Sequence, residues 1–159
     1  MSTPDNAKKI AVLNFLFTGF WGSSVIGDLL FSIGMILAVM TRNELVVGME
    51  TVAHTAMFFG LMALIAVPVF GFVMSDLIRR PINNDTDPSA FAKAAGYCFV
   101  PLLLCIFALL NYAYSWRRRE MAYLLTAMIF SIMAMFFFKS HKENAVRLLE
   151  SESDWISHL

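Results

Sequence analysis

Apolar residues run along this chain in four long blocks divided by short polar stretches. The blocks are Ile10 to Thr41, Thr51 to Ser75, Ala94 to Trp116 and Met121 to Phe138. Each comes close to or exceeds the ~20 apolar helical residues that cross a hydrocarbon core of ~30 Å. Across all four, the only Asp, Glu, Lys or Arg is Asp28. Lipid offers an open backbone no hydrogen-bond partner, so helices are the expected form; strands of a barrel would read as shorter, alternating segments. The pattern predicts an all-α integral membrane protein, a bundle of four transmembrane helices in two antiparallel hairpins. Residues 1–138 would form the transmembrane domain, and 139–159 a soluble, weakly amphipathic tail.

The connections support pairing of neighbours. RNELVVGME joins the first two blocks and RRRE the last two, both short enough for a tight helix–helix turn. The longest connection, RRPINNDTDPSAFAK, contains Asp87, Pro88 and Ser89. A capping side chain followed by Pro is the chemistry of a helix start. No internal repeat and no low-complexity tract interrupts the pattern.

Composition says why the bilayer must be the solvent. The chain of 159 residues is 58% hydrophobic and 15% charged, against roughly 45–50% and ~25% in soluble domains. Formal net charge is zero and no basic face extends beyond the Arg117–Arg119 turn, so nucleic acid is not an expected partner. The first apolar run exceeds the ~7–15 residues of a signal peptide core and no A-x-A site follows it, so it is expected to stay in place. The N-terminal MSTPDNAKK has no Arg, unlike an amphipathic transit peptide. A bacterial inner membrane or an organelle inner membrane both fit.

Catalytic chemistry is sparse. No CxxC, glycine-rich phosphate loop, HExxH or GxSxG is present. Cys98 and Cys105 stand seven residues apart on one helix, about 10 Å at the helical rise, too far to bond to each other; buried thiols used as small hydrophobes are expected. Haem between membrane helices usually takes two axial ligands, with His the common choice. His54 is the one histidine in an apolar block, with His141 and His158 in the tail. A chain-internal bis-histidine site is therefore not available. No cofactor is expected in this chain alone; haem or quinone would need a site shared with another subunit. Thioethers suit Cu(I), yet Met121, Met128, Met133 and Met135 do not share a helix face, and flexible apolar packing is the expected role.

Small residues point to packing. Helices in lipid associate by close backbone approach, and Gly19, Ser23 and Gly27 step along the first helix by fours. Ala56, Gly60, Ala63, Val67 and Gly71 form a second narrow stripe on the next helix, and the two stripes are expected to meet. Arg117, Arg118 and Arg119 follow Tyr112, Tyr114 and Trp116, an aromatic belt at a membrane interface. Anionic lipid headgroups or an acidic patch on a partner subunit would suit the triplet.

Asp28 is the residue that calls for an explanation, because ionisable groups inside a membrane are costly and face the bundle interior or a cavity. Ser24 and Ser32 lie one turn to either side. Counting equal depth along the other helices reaches Pro68, Pro101 and Ser131. Each proline frees a carbonyl four residues back, at Leu64 and Tyr97, to which a protonated Asp28 could donate. With no second acid or base to form a relay, a structural, inward-facing Asp28 is expected.

Three functional readings follow. The first is a non-catalytic accessory or anchor subunit of a larger membrane complex, of the respiratory or another energy-transducing kind. The second is a small transporter or proton-path component centred on Asp28. The third is a redox anchor at a quinone or shared haem site, resting on His54. Expected partners are membrane lipids and other membrane subunits.

The basic residues orient the bundle. Of twelve Lys and Arg, Lys8, Lys9, Arg79, Arg80, Lys93, Lys139, Lys142 and Arg147 fall on the side shared by the termini; Arg42 and Arg117 to Arg119 fall opposite. Both termini should therefore face the cytoplasm or matrix. A reporter fused after Leu159 is expected to be active on that side alone, and activity confined to the outer side would reverse the orientation.

Overall fold

The structure, a computed structural model, describes residues 4–79 and 98–156. Within them it is all-helical: α1 (Pro4–Arg42), α2 (Glu50–Arg79), α3 (Phe99–Arg118) and α4 (Met121–Ile156). All four are long and apolar enough to cross a membrane. α1 packs along α2 and α3 along α4, while α1 meets α4 and α2 meets α3. The helices thus close into a ring around a shared interior.

Two helices run further than their apolar blocks. α1 begins at Pro4, a residue whose fixed φ and missing N–H suit a first helical turn. α4 does not stop at Phe138 but continues to Ile156, so the segment 139–159, expected as a separate tail, is in large part the same helix. The reason is local: residues 139–156 contain neither Pro nor Gly, and nothing in them breaks a helix. The polarity change at Lys139 marks a change of surroundings without a change of secondary structure. Ala145 and Leu149 are buried against the same cluster as Phe138, and Asn6 Nδ2 donates to the Leu149 carbonyl at 3.0 Å. Lys142 Nζ donates to Asn14 Oδ1 at 3.0 Å and lies 4.7 Å from the Phe17 ring centre. These contacts tie the ends of α1 and α4 together. The expected helix start at Asp87, Pro88 and Ser89, and the onset of the third helix at Ala94, lie outside the described residues.

The interior divides into two apolar clusters. One gathers Leu13, Phe20, Val67, Met74, Leu102, Cys105, Ala134 and Phe138. The other gathers Phe31, Met35, Met57, Leu64, Ala108, Tyr112, Leu124 and Ala127. Edge-on aromatic pairs anchor each: Phe20 on Phe138 at 4.6 Å, and Phe31 on Tyr112 at 4.8 Å. The outward faces are also apolar. Ile26, Leu29, Phe59, Val69, Phe72, Leu125, Ile129 and Phe136 are each more than half exposed.

The α1–α2 seam is set by glycine. A Cβ on Gly60 would stand 2.5 Å from the Phe31 nitrogen and 2.9 Å from the Gly27 carbonyl oxygen. A Cβ on Gly34 would meet the Ala53 carbonyl oxygen at 2.7 Å. Both contacts are with backbone, which has little room to give. Gly27 faces Gly60 and Leu64, and Gly19 faces the Phe70 ring, whereas Ser23 is half-buried. Gly71 faces away from α1, towards Phe138 and Leu102, so it serves the contact of α2 with the other two helices. Gly34 was not in the expected stripe, because it stands seven residues beyond Gly27 and outside the run of fours.

Overpacking a tight core costs about 1–3 kcal/mol. Gly60→Ala is accordingly expected to lower the thermal unfolding midpoint of the detergent-solubilised protein clearly. Gly22→Ala should leave it unchanged or raise it slightly, since nothing lies within 4 Å of the added methyl. Equal midpoints for the two variants would remove the seam from the stabilising interactions.

Candidate functional site

Asp28 sits on the inner face of α1, at the level where one apolar cluster gives way to the other. On α1 that boundary falls between Phe20 and Phe31, on α2 between Val67 and Leu64, on α3 between Cys105 and Ala108, and on α4 between Ala134 and Ala127. Only 8% of the Asp28 surface is exposed. A carboxylate buried among apolar groups is strongly unfavourable unless its oxygens are met.

They are met by two hydroxyls from two different helices. Tyr112 Oη on α3 donates to Asp28 Oδ1 at 2.5 Å. Ser131 Oγ on α4 donates to Oδ2 at 2.8 Å. Both donors are themselves buried. One side chain of α1 therefore holds α3 and α4 together, at the centre of the bundle and at hydrogen-bond lengths typical of hydroxyl donors to a carboxylate.

Ser131 was in the predicted polar layer; Tyr112 was not. Its place after Leu110 and Asn111, close to Tyr114, Trp116 and the arginines, assigned it to the interface belt. A helical side chain leans towards the N-terminus of its own helix, so the long phenol of Tyr112 covers the turn before it and reaches the Asp28 level. Shorter residues counted by Cα depth do not report that reach. The proline carbonyls also change role. Asp28 accepts from hydroxyls rather than donating to the carbonyl of Leu64; Tyr97 lies outside the described residues. Pro101 falls in the first turn of α3, where a missing N–H removes no helical bond.

The neighbouring serines differ. Ser32 Oγ donates weakly to Met128 Sδ at 3.6 Å, a further link from α1 to α4. Ser24, one turn before Asp28, is 1% exposed, and its Oγ has no hydrogen-bond partner. Beside the clamp lies a small apolar gap bounded by Leu64, Val67, Cys105, Ala108, Leu109, Tyr112 and Ser131. Cys98 and Cys105 are buried and form no disulfide. Among the described residues, no three His, Cys, Asp or Glu gather as a metal-ligand set.

A second polar group stands at the end of the bundle where α1 finishes and α2 begins. His54 Nδ1 is 2.7 Å from the Glu50 carbonyl oxygen, and His54 Nε2 is 2.7 Å from Arg119 Nη2. A guanidinium only donates, so Nε2 must present its lone pair and Nδ1 carries the proton given to Glu50. This assignment makes His54 a neutral imidazole with both nitrogens engaged. The arginine triplet is split. Arg117 and Arg118 are exposed in the last turn of α3. Arg119 adopts the left-handed conformation, φ 59° and ψ 34°, and its N–H closes the helix on the Ser115 carbonyl at 2.8 Å.

Comparison with protein-family models, curated proteins and solved structures finds no match to this chain.

The clamp separates four side chains by their expected effects. Hydrogen bonds to charged groups contribute about 1.5–3 kcal/mol; Tyr112→Phe and Ser131→Ala should each lower the stability of the detergent-solubilised protein by roughly that amount. Ser24→Ala removes a hydroxyl that makes no bond and should be neutral or mildly stabilising. Asp28→Asn should preserve assembly, since an amide of the same shape can both accept from one hydroxyl and donate to the other. Unfolding midpoints measured across the four variants check the order, and a loss at Ser24→Ala equal to that at Tyr112→Phe contradicts it.

Proposed function

We propose that the chain is an integral membrane protein, with α1 to α4 crossing the bilayer as two antiparallel pairs, and that it serves as a non-catalytic scaffold subunit of a larger membrane assembly. The observation that carries this reading is the use made of Asp28. The one acidic residue inside the apolar blocks spends both oxygens on α3 and α4 of its own chain. Its chemistry is thereby directed to holding the fold.

Two further features support it. The outward faces carry large apolar side chains along all four helices, far more exposed apolar surface than a soluble monomer tolerates and what lipid or another membrane subunit would cover. α1 and α4, at 39 and 36 residues, exceed the ~20 needed for one crossing. Their joined ends, carrying Lys8, Lys9, Lys139, Lys142 and Arg147, would extend beyond the bilayer as a polar two-helix projection available to a partner. The excess of basic residues at this end supports a cytoplasmic or matrix side for that projection.

A proton-path role remains the competing reading, and one observation favours it: the unpaired Ser24 hydroxyl lies one turn from Asp28. Extraction in mild detergent, followed by sizing and proton-flux measurement in vesicles, separates the two. The scaffold reading expects a complex containing other polypeptides, intact with Asp28→Asn, and no proton flux from the isolated chain. A homo-oligomer whose proton flux disappears in Asp28→Asn would overturn it.

A further inference from the structure

We propose that the cleft between Arg42, His54 and Arg119 is a binding site for a phosphate-bearing anion. Ala38 and Arg42 of α1, Glu50 and His54 of α2, and Arg119 beyond α3 line it. Its volume of about 230 Å³ compares with the ~10–15 Å³ that a single water requires. Three helix ends converge here: the last residue of α1, the first of α2 and the cap of α3.

The charges of this cleft are left open in a specific way. Arg119 is held by two neutral acceptors, His54 Nε2 at 2.7 Å and Met57 Sδ at 3.8 Å. A carboxylate in either place would fix the guanidinium and cancel its charge; an imidazole lone pair and a thioether fix it and leave the charge intact. With two of its five N–H groups engaged, Arg119 is held in place before any ligand arrives, which lowers the ordering cost of binding. Arg42 makes no hydrogen bond or ion pair among the described residues and is exposed at the rim. The first turn of α2 adds the partial positive charge of a helix N-terminus. Against two guanidinium charges stands one carboxylate, Glu50, so the cleft carries one net positive charge.

That balance suits a singly charged tetrahedral anion. Guanidinium groups pair with phosphate oxygens in the bidentate geometry that a compact ammonium lacks. A phosphodiester carries one negative charge at neutral pH and would leave the cleft neutral. The cleft lies at the level where the apolar runs of α1 and α3 end and that of α2 begins. If the helices span a bilayer as proposed above, this is the headgroup level, and an anionic phospholipid is the nearest source of phosphodiester. Free phosphate shares the chemistry and does not depend on the membrane reading.

The test uses the full chain in detergent and native mass spectrometry, titrating phosphatidylglycerol, phosphatidylcholine and inorganic phosphate separately. Phosphatidylglycerol should bind in preference to phosphatidylcholine. Removing one charge-assisted contact should weaken that binding about tenfold in Arg42→Gln and in Arg119→Gln. Arg117→Gln, which removes an exposed arginine of the same triplet, should leave it unchanged. Arg42 has no contact whose loss would unfold the helix end, so its variant decides the matter even if Arg119→Gln folds poorly. Displacement of phosphatidylglycerol by equimolar phosphate would support the site with a soluble ligand; failure to displace would support it with a lipid. Equal weakening by Arg117→Gln, or undiminished binding in Arg42→Gln, overturns the proposal. A chain that remains in solution without detergent would overturn the membrane reading instead, and phosphate titration in buffer would still test the cleft.

Discussion

The bundle depends on satisfying one carboxylate where water is scarce. An aspartate among apolar side chains costs several kcal/mol if its oxygens are left unmet, so any arrangement of these helices that separates Asp28 from Tyr112 or Ser131 is penalised. Apolar side chains are largely interchangeable between registers, and in a lipid surrounding they supply no hydrophobic drive for helix to meet helix. A carboxylate accepting from two hydroxyls at 2.5 Å and 2.8 Å is directional. It selects one rotation and one depth for α3 and α4 relative to α1.

Glycine provides the complementary constraint on the other side of α1. Gly27, Gly34 and Gly60 let the backbones of α1 and α2 approach until a methyl group would collide with backbone atoms. The two devices act on different faces of one helix: close packing joins α1 to α2, and hydrogen bonding joins it to α3 and α4. The distribution makes physical sense, because dispersion rewards closeness along a whole seam while a charge-assisted bond acts at a point. Phe31 links the two, with its backbone against Gly60 and its ring on Tyr112. A displacement at the seam would therefore be felt at the clamp.

The ends of the bundle have distinct chemistry. At one end the extensions of α1 and α4 are joined by an asparagine and a lysine side chain, with Leu13 and Leu149 buried beneath. At the other, a neutral histidine positions an arginine whose charge stays available. Interior and ends thus use polar groups oppositely, with the centre consuming its charge in packing and the second end presenting it.

The four helices that are long and apolar enough to cross a membrane, among the described residues, were legible in the sequence, because that property is additive along the chain and needs no knowledge of neighbours. It also singled out Asp28 and placed Ser131 at its level, since depth along a helix scales with residue count. The length of α4 was less legible: hydropathy reports surroundings, and the helix continues through the change at Lys139. Which side chains meet is fixed by the packing of the helices alone. Tyr112 reaches Asp28 because its phenol leans a turn back along α3. Gly71 serves α3 and α4 rather than α1, and Arg119 alone of its triplet turns to His54. Each outcome depends on the rotation of one helix about its axis relative to another, a quantity set by contacts between residues 31 to 84 positions apart and by no pattern within a single helix.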